Sequence, residues 1–436
     1  MKTKISSFLK ERPERFKPVE ANELRLKRLN KIDFSGNIHI VDKPTKTNMI
    51  LIKKGDLVIS GINVEKGAVA IYQGEEDILA TIHYSSYEFD KKKINVEYFK
   101  WFLKSKIFRD IVNSQIGGGI KTELKPKKFL PLEIPLPSLP EQKQILKKIN
   151  SMKNEINELE QNVSYDKNLL QKLRQSILQE AVQGKLIPQN PKEEAASELL
   201  KKIKKEKEKL IKEGKIRKGR ELPKVEEEEI PYELPKGWVW GRLGEVCWIN
   251  PRNNLEENLE VAFIPMNLIK DNARNQFEQQ TKKWGQIKSG FTHFAEEDVI
   301  FAKITPCFQN RKSAILKNLK NKYGAGTTEL YVLRSYSKLI LPEFLFFLVN
   351  TQKFIDDGVS TYKGTAGQQR IKRDFVENYI IGLPLLVEQR RIVEKVDSLM
   401  KLCGELKLKI KQNKKSSESL MRAVLRESFE EEYNNP

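Results

Sequence analysis

Apolar residues recur at alternating steps of four and three, with a few polar interruptions, along two long stretches of the chain. The first series is Ile145, Ile149, Met152, Ile156, Leu159, Val163, Asp166, Leu170, Leu173 and Ile177, and the second is Ile392, Val396, Leu399, Cys403, Leu406, Ile410, Asn413, Ser417, Leu420 and Val424. A period of 3.5 residues held over about five heptads predicts two long helices that pack as a coiled coil. Each helix would be roughly 60 Å long. We therefore expect the two helices to pack on each other rather than only on their own domains.

The two stretches belong to a longer internal repeat with a constant offset. Ile134–Ile145 matches Ile381–Ile392, and each segment carries Leu-Pro followed by Glu-Gln. The same offset aligns Gly117 with Gly364. A register kept without a gap over such a length indicates a duplicated unit that contains a module and the helix after it.

Short apolar runs separated by polar turns precede each long helix. They predict strands at 50–52, 57–60, 68–72 and 78–84 in the first copy and at 299–302, 313–316 and 329–333 in the second. Helices are predicted to begin near Val96 and Pro342. The expected fold class is α+β, with two similar mixed α/β modules joined by two long helices. The expected boundaries are 1–138 for the first module, 139–187 for its helix, 188–230 for a charged linker with a solvated helix, 231–386 for the second module and 387–430 for its helix.

The chain carries a strong positive charge. Lys plus Arg number 79 against 59 Asp plus Glu, a net charge of +20. The modules hold most of the excess, since residues 1–130 contain 26 basic and 16 acidic groups and residues 231–380 contain 21 and 16. This distribution predicts that the modules bind a polyanion, most often nucleic acid. A surface rich in Lys and Glu of the thermophile type is the alternative explanation of the charge.

Several functional classes lack their signatures. The segment Gly117–Thr122 resembles a phosphate-binding loop, but Ile120 stands where that loop needs glycine. No dinucleotide fingerprint follows a strand, and no Asn/Asp-Pro-Pro-Tyr/Phe motif of an amino-methyltransferase is present. Turn or capping roles suffice for Asp56 and Asp298, which precede strands. We therefore expect a protein without catalytic residues.

The composition also bears on metals and location. Three scattered histidines and three distant cysteines offer little for a metal site, so no bound metal is expected. The N-terminus has no apolar signal core, and no apolar run reaches the length of about 18 residues that a membrane span needs. We expect a cytoplasmic protein that does not enter membranes.

Polar loops between the strands hold the side-chain types that contact phosphates and base edges. Arg and Lys suit guanine and phosphate, Asn and Gln suit adenine, and Ser and Thr suit either. The candidate DNA-binding residues are Lys43, Thr45, Lys46, Asn48, Lys66, Tyr84, Lys121, Lys303, Thr305, Gln309, Arg311, Lys312, Thr327, Thr328, Lys363, Gln368 and Arg370. For any single loop an ordinary polar turn explains the residues, but together they form a candidate contact surface.

The chain resembles the specificity (S) subunits of type I restriction–modification systems. The resemblance is carried by Ile134–Gln142, by its copy ending in Gln389, and by Ala302–Lys312, Gly326–Arg334 and Pro231–Trp238. It covers essentially the whole chain, and the duplicated proline-rich junction before each long helix is its most specific part. The first module departs more from the pattern, because Ser-Gly-Ile-Asn-Val-Glu-Lys stands where the second has its Lys-Ile-Thr-Pro loop.

This resemblance implies a mechanism. Each module would be a target recognition domain that reads one half of a bipartite DNA site. The two helices would pack antiparallel, give the molecule pseudo-twofold symmetry and set the unread spacer. Two methyltransferase (modification) subunits and the restriction/translocase subunits would join the complex. S-adenosylmethionine, ATP and Mg would be bound by those partners, and this chain would bind no cofactor.

Two other functions fit parts of the sequence. The chain could be a structural coiled-coil protein whose modules bind protein partners, or a specificity module of a related modification system that is not type I. Salt-sensitive DNA binding would separate the first from a DNA reader, and a copurifying methyltransferase subunit would separate the second.

Overall fold

The computed structural model describes residues 2–34, 36–62, 68–116, 124–190, 196–271, 276–363 and 368–433. Its contacts divide the chain into two compact units, residues 1–166 with 410–436 and residues 167–409. The first unit contains β1 (Lys2–Lys4), β2 (Leu9–Glu11), β3 (Arg15–Phe16), α1 (Pro18–Glu23), β4 (Arg28–Ile32), β5 (Ile38–Val41), β6 (Met49–Ile52), β7 (Leu57–Ser60), β8 (Val69–Ile71), β9 (Ile78–Thr81), β10 (Tyr84–Phe89), α2 (Val96–Lys104), α3 (Lys106–Ile116), α4 (Pro126–Phe129) and β11 (Glu133–Pro135).

A long helix, α5 (Leu139–Val182), follows, and its last part belongs to the second unit. The second unit continues with α6 (Ala196–Lys212), β12 (Val239–Arg242), α7 (Leu243–Val246), β13 (Cys247–Ile249), β14 (Glu260–Ile264), β15 (Gln280–Lys283), α8 (Trp284–Ile287), β16 (Thr292–Ala295), β17 (Val299–Ala302), β18 (Ser313–Ile315), β19 (Tyr323–Gly326), β20 (Leu330–Ser335), α9 (Pro342–Asn350), α10 (Gln352–Ser360), α11 (Arg373–Asn378) and β21 (Ile380–Leu383). The final helix, α12 (Leu386–Tyr433), has its later part in the first unit.

The two units repeat one sheet plan. Each has a four-stranded antiparallel sheet, ordered β2-β10-β7-β8 in the first and β13-β20-β17-β18 in the second. Each also has a two-stranded pairing, β1-β11 and β12-β21, whose later strand leads into a long helix. The predicted internal repeat of α+β modules is therefore confirmed. The remaining sheets differ, with order β3-β6-β9-β4-β5 in the first unit and β15-β14-β19-β16 in the second.

The apolar runs of the sequence form the buried strands. All four residues of β7 and all four of β17 are buried, as expected for strands covered on both faces. In the first unit α2 packs on the sheet through Phe99 and Phe102, which are at most 1% exposed. Full burial of such an aromatic side chain stabilises the fold by about 1.5–3 kcal/mol.

The repeated Glu-Gln dipeptide has a structural explanation. The Gln142 side chain, which is fully buried, donates to the Pro137 carbonyl (2.8 Å) and accepts from the Asn95 amide (2.7 Å). In the second unit the Gln389 side chain donates to the Pro384 carbonyl (3.0 Å) and accepts a backbone N–H at the start of α9 (2.8 Å). Each glutamine thus ties the start of a long helix to the start of a module helix, using backbone groups that helix ends leave without partners.

Within each unit the two long helices run antiparallel. In the first unit the beginning of α5 meets the end of α12, where Lys148 lies 3.3 Å from Glu427 and Ile149 shares a core with Phe429. In the second unit, Leu170 near the end of α5 lines the same cavity as Val396 near the start of α12. The predicted antiparallel packing of the helices is confirmed.

Burial along the predicted seam is uneven. Near the ends of the helices Ile149, Ile177, Ile392 and Val424 are at most 6% exposed. Elsewhere exposed and buried seam positions alternate, since Leu159, Leu173, Leu406 and Leu420 are 38–47% exposed whereas Ile156, Leu170 and Cys403 are at most 8% exposed. Several seam positions thus keep apolar surface in contact with solvent.

The segment expected to be a solvated helix and flexible linker is held against the second unit. Helix α6 is amphipathic, and Ala196, Leu199 and Ile203 on one face are at most 4% exposed. The steps of three and four between them put these residues on one side of the helix. Only the opposite face of α6 is solvated, which differs from the expectation of a helix surrounded by solvent.

Beyond α6 one arginine fixes the extended chain. Arg242, whose side chain is 3% exposed, donates to the carbonyls of Pro223 (2.7 Å), Lys224 (2.9 Å) and Asn378 (3.0 Å) and to Glu229 (2.6 Å). A buried guanidinium needs such partners because an unpaired charge away from water is strongly unfavourable. This part of the predicted linker is therefore bound to the module that follows it.

Candidate nucleic-acid interface

Three predicted contact loops of the second unit meet at one edge of its four-stranded sheet. The Lys303 amide donates to the Glu329 carbonyl (2.9 Å), and the Thr305 amide donates to the Gln369 carbonyl (2.9 Å). The Ile371 amide in turn donates to the Lys303 carbonyl (3.0 Å). We call the described residues 303–305, 327–329 and 368–371 the contact edge.

Side chains on the contact edge are held in place by polar and aromatic neighbours. Arg370 donates to both carboxylate oxygens of Glu329 (2.8 and 2.9 Å), and this bonding lowers the pKa of Glu329. The Lys303 ammonium lies 5.6 Å from the centre of the Tyr331 ring. The Thr305 hydroxyl accepts from the Gln369 amide (3.1 Å), and the Thr327 hydroxyl accepts from the Glu329 amide. Loops fixed by such bonds present their remaining groups in a defined direction.

Four predicted residues in or beside these loops expose their side chains, namely Gln309, Thr328, Lys363 and Gln368. Lys363 pairs with Arg370 through backbone hydrogen bonds, which brings it next to the contact edge. Sequence reasoning missed Lys372, whose pKa is lowered by the neighbouring Lys363 ammonium. Two adjacent ammonium groups favour an anion between them, as a phosphate contact requires.

Two predicted contact residues point into the fold. Arg311 is 9% exposed and donates to the Asn350 carbonyl (3.2 Å) and to the Gln352 side chain. Lys312 donates to the Met266 carbonyl (3.1 Å) and lies 3.6 Å from Asp271. Both side chains position the start of β18 and are already engaged by protein groups. In the sequence alone, basic residues that bond to protein groups at the start of a strand cannot be told apart from basic residues of a loop that contacts DNA.

In the first unit the loop before β6 is anchored by one asparagine. The Thr45 amide donates to the Asn22 side chain (2.8 Å), which donates back to the Thr45 carbonyl (3.1 Å). Thr45 is therefore buried, at 6% exposed, whereas the predicted contact residues Lys43 and Lys46 on either side are exposed.

Lys43 and Thr45 line a groove of about 310 Å³ with two arginines that sequence reasoning did not single out. These are Arg25 and Arg28, which come just before and at the start of β4. Asp42 contributes a carboxylate to the same groove. Three cations beside one carboxylate make this surface suitable for a phosphate.

Two further predicted residues of the first unit, Asn48 and Tyr84, lie just before β6 and at the start of β10. Asn48 is exposed and precedes Met49, which pairs with Thr81, so Asn48 lies near the residues that lead into Tyr84. Tyr84 is half-buried, and its burial raises the pKa of its hydroxyl. Lys66 and Lys121 lie outside the described residues, as do Gly117 and Gly364.

Each unit has a buried aspartate just before a central strand of its four-stranded sheet, Asp56 before β7 and Asp298 before β17. Asp298 accepts two hydrogen bonds from Arg334 (2.7 and 2.8 Å) and one from the Ala295 amide (2.7 Å). Asp56 in the first unit is bonded to Arg12 and accepts from Ser86 (2.8 Å). These partners account for both carboxylates as structural groups, and a general acid or base would need access to a substrate.

His293 belongs to the same network in the second unit. Its Nδ1 accepts from the Asn253 amide (3.1 Å) and its Nε2 lies 2.9 Å from the Lys288 carbonyl, so Nε2 carries the proton. Asn253 in turn accepts from Arg334 (3.3 Å). Burial, supported by the charge of Arg252, lowers the pKa of His293 below its ordinary value.

The lowered pKa of His293 predicts that the second unit loses stability in mild acid. The unfolded chain takes up the proton near pH 6.5, before the folded chain does. Stability is therefore complete above about pH 6.5 and falls as the pH drops towards the lower folded value. Thermal unfolding between about pH 8 and about pH 5 should show this fall. His293→Gln should flatten it, and His83→Gln, which changes an exposed histidine of the first unit, should leave it intact.

Among the described residues, no group of three or more His, Cys, Asp or Glu side chains is placed to hold a metal ion. Within the same part of the chain, no helix is both long and apolar enough to cross a membrane. Cys247, Cys307 and Cys403 are free thiols, and burial raises the pKa of Cys247 strongly.

The fold and its surfaces define a protein of two related α+β modules, each with basic loops at a sheet edge, joined by two long helices. The sequence matches the type I restriction modification DNA specificity domain over residues 5–164 and 235–413. The chain belongs to this family, and the predicted family resemblance is confirmed.

Individual relatives agree with this assignment. The chain is 47% identical over 238 residues to the type I restriction enzyme EcoAI specificity subunit and 45% identical over the same length to the EcoEI specificity subunit, both from Escherichia coli. Each alignment spans 54% of this chain and 40% of the relative, so the chain spans less than half the length of these relatives. A solved chain from work on "complex assembly and conformational transition of the type I R-M system" shares the fold, with a TM-score of 0.61 and 15% identity over 98% of this chain and 97% of that one.

Proposed function

We propose that this chain is the noncatalytic DNA-recognition subunit of a type I restriction–modification system and that each module reads one half of a bipartite site. The observation that carries the proposal is the contact edge, where Lys303, Arg370 and exposed Gln368 lie together on a basic module of the specificity family. Arg or Lys reads guanine and amides read adenine in the major groove, while other cations hold phosphate. Two such readers in one chain gain affinity from their linkage.

The first unit is proposed to read the other half-site through the groove that holds Lys43, Arg25 and Arg28. Exposed Lys46 and Asn48 extend this surface. The groove lies on the five-stranded sheet of the first unit, whereas the contact edge lies on the four-stranded sheet of the second. The two surfaces therefore differ in residues and in position, as a bipartite site with unlike halves requires.

The long helices are proposed to bind two methyltransferase (modification) subunits, with restriction/translocase subunits joining the complex. Support comes from apolar side chains that are more than a third exposed, namely Leu159, Tyr165, Leu169 and Leu173 on α5 and Leu402, Leu406, Leu408 and Leu420 on α12. Large exposed apolar surface is typical of protein interfaces. S-adenosylmethionine, ATP and Mg would be bound by these partners, and the assembly would work on DNA in the cytoplasm.

Coexpression with a methyltransferase partner and genome-wide mapping of adenine methylation tests the proposal. We expect a bipartite motif with a fixed unread spacer. Gln368→Ala, on the exposed contact edge, should relax sequence choice in one half of the motif only, because one good base contact discriminates by about 1–3 kcal/mol. Gln276→Ala, which changes an amide of the same unit that lines a cavity beside α5, is the control and should leave the motif intact.

The contrary outcomes are distinct. An assembled complex that contains methyltransferase but yields no motif would rule out DNA reading by this chain. A chain that binds protein partners yet shows no salt-sensitive affinity for DNA would support the structural coiled-coil alternative.

A further inference from the structure

A second basic surface lies on helix α6, away from the contact edge. The helix carries seven lysines against three glutamates. Lys202, Lys205, Lys209 and Lys212 follow one another at steps of three and four, so they share one face of the helix. All four side chains are exposed, whereas Ala196, Leu199 and Ile203 are buried on the opposite face.

The four lysines form no ion pair with the described residues, although the charges of Lys202 and Lys209 act over a longer distance on Glu198 and Glu213. Other lysines of the helix have partners, since Lys201 lies 2.8 Å from Glu198 and Lys207 donates to the Gly244 carbonyl (3.0 Å). For the four on the exposed face, no carboxylate of the described residues lies within ion-pair distance. No ion pair within the described part of the protein accounts for these four ammonium groups, which are exposed and available to an external anion.

The helix is held rigidly enough to present this face. The Ala196 amide at its start donates to the Gly237 carbonyl (2.7 Å). The Lys207 ammonium on its inner side lies 5.8 Å from the centre of the Tyr336 ring and also donates to the Gly244 carbonyl. The exposed residues Arg217, Lys218 and Arg220 follow and extend the positive charge beyond the helix.

The position of α6 separates this face from the contact edge. In the four-stranded sheet Leu330 of β20 pairs with Ala302, next to the contact edge. The other end of β20, Ser335, pairs with Cys247. Helix α6 packs at that second end, through Gly244 and Tyr336. The length of β20 puts the two ends about 17 Å apart.

We propose that the exposed lysine face of α6 is a second, sequence-independent binding surface for the phosphate backbone of double-stranded DNA. The proposal rests on the proposed function, because DNA held by the contact edge raises the local concentration of duplex near α6. The face extends about 15 Å from Lys202 to Lys212, and duplex DNA presents roughly nine phosphate charges over that length.

The chemistry of the face favours DNA over an acidic protein. Protein interfaces are enriched in aromatic and apolar residues at their centre and depleted in lysine. The α6 face consists of these four lysines with Glu198 at its N-terminal end, and it has no exposed aromatic or apolar centre. Lysine acts as a point charge that binds phosphate without demanding one geometry, which suits contacts that do not depend on base sequence.

The test uses the full chain and a mixed-sequence duplex of about 40 base pairs, roughly four helical turns. A variant with Lys202, Lys205, Lys209 and Lys212 changed to Gln is compared with wild type over a range of KCl concentrations. If all four lysines contact phosphates, the slope of log affinity against log salt should become shallower by about 3.6. Between about 50 and 200 mM salt the affinity of wild type should then fall about 150-fold more than that of the variant.

The matched control changes four ion-paired lysines of the same unit, Lys288, Lys317, Lys320 and Lys353, to Gln. It removes the same net charge and should leave the salt slope close to wild type. Changing the four α6 lysines to Arg keeps the charge and should also keep the slope. Fluorescence-monitored unfolding checks that all variants fold.

Each contrary result is informative. Equal slopes for the α6 and control variants overturn the inference while leaving the proposed function intact. A wild-type chain without salt-sensitive DNA binding overturns both. Loss of a copurifying methyltransferase from the α6 variant, with unchanged DNA binding, overturns the inference in favour of a protein partner.

Discussion

Replacing Arg334 with methionine is expected to destabilise the second unit by about 3–5 kcal/mol. Asp298 is 1% exposed and receives two of its three hydrogen bonds from Arg334. Without the guanidinium, a carboxylate would remain buried with a single backbone donor. Burial already raises the pKa of Asp298, and Arg334 opposes that rise. Methionine therefore leaves either an unpaired charge or a carboxyl group that takes up a proton.

The pH dependence identifies the cause of this loss. In the variant the folded pKa of Asp298 lies further above its unfolded value. Stability from the protonated carboxyl group is then present below the unfolded pKa and is lost as the pH rises through the folded pKa. The destabilisation should thus shrink in acid and be largest near neutral pH.

Tryptophan fluorescence during urea unfolding measures this effect, because four of the five tryptophans belong to the second unit. The double variant Asp298→Leu/Arg334→Met should recover most of the loss, since a buried ion pair replaced on both sides by apolar residues is often neutral. Arg390→Met removes an exposed arginine of the same unit and should change stability by no more than about 0.5 kcal/mol. Equal losses for Arg334→Met and the double variant would show that packing, rather than the uncompensated carboxylate, is responsible.

The duplicated architecture was predictable because it depends on local patterns. The heptad series predicted two long helices, and the structure has helices at Leu139–Val182 and Leu386–Tyr433. The strand predicted at 299–302 has those bounds in the structure. Gln142 and Gln389 explain why the junction was the most recognisable part of the repeat. Each glutamine bonds backbone groups from two segments, and no other side chain of that length offers both a donor and an acceptor there.

Several short strands and the long-range partners of side chains were not predictable. The short strands β1 to β5 have little hydrophobic periodicity, and they form because tertiary pairing completes their sheets. Each unit has a buried aspartate bonded to an arginine, Asp56 with Arg12 and Asp298 with Arg334, but the two arginines come from different places in the sheet. Arg334 lies within β20, whereas Arg12 follows β2. A sequence repeat aligned position by position does not reveal such a swap.

The candidate site was predictable as a set of loops, whereas individual side chains were not. Lys303 and Arg370 are 67 positions apart and meet only because backbone bonds join their loops. Arg311 has the composition of a contact residue, yet its side chain is buried. Averaging charge over the whole linker also hid the one-sided face of α6, because the acidic run Glu226–Glu229 cancels most of the positive charge in sequence.

If the chain has the proposed function, inserting one heptad into both long helices should abolish methylation of sites with the original spacer length. Duplicating Val163–Leu169 in α5 and Leu406–Gln412 in α12 adds about 10.5 Å to each helix. That length corresponds to about three base pairs, over which the duplex turns by roughly 100°. A heptad turns a helix by only about 20° relative to its seam. Both half-sites could then no longer be contacted at the original spacing, and the 10³-fold or greater preference for the specific site would be lost.

Methylation mapping of the coexpressed complex measures the result, and the half-site sequences serve as the internal reference. Any motif that the variant still methylates should keep both half-sites and have a longer spacer, because the insertion leaves the contact edge and the Lys43 groove untouched. Insertion into α5 alone is the matched control, since it adds the same residues but shifts the seam of one helix against the other. It should abolish methylation altogether by disturbing the packing at both helix ends. An unchanged spacer in the double insertion would show that the helices do not set the distance between the half-sites, and a changed half-site would show that they help to read it.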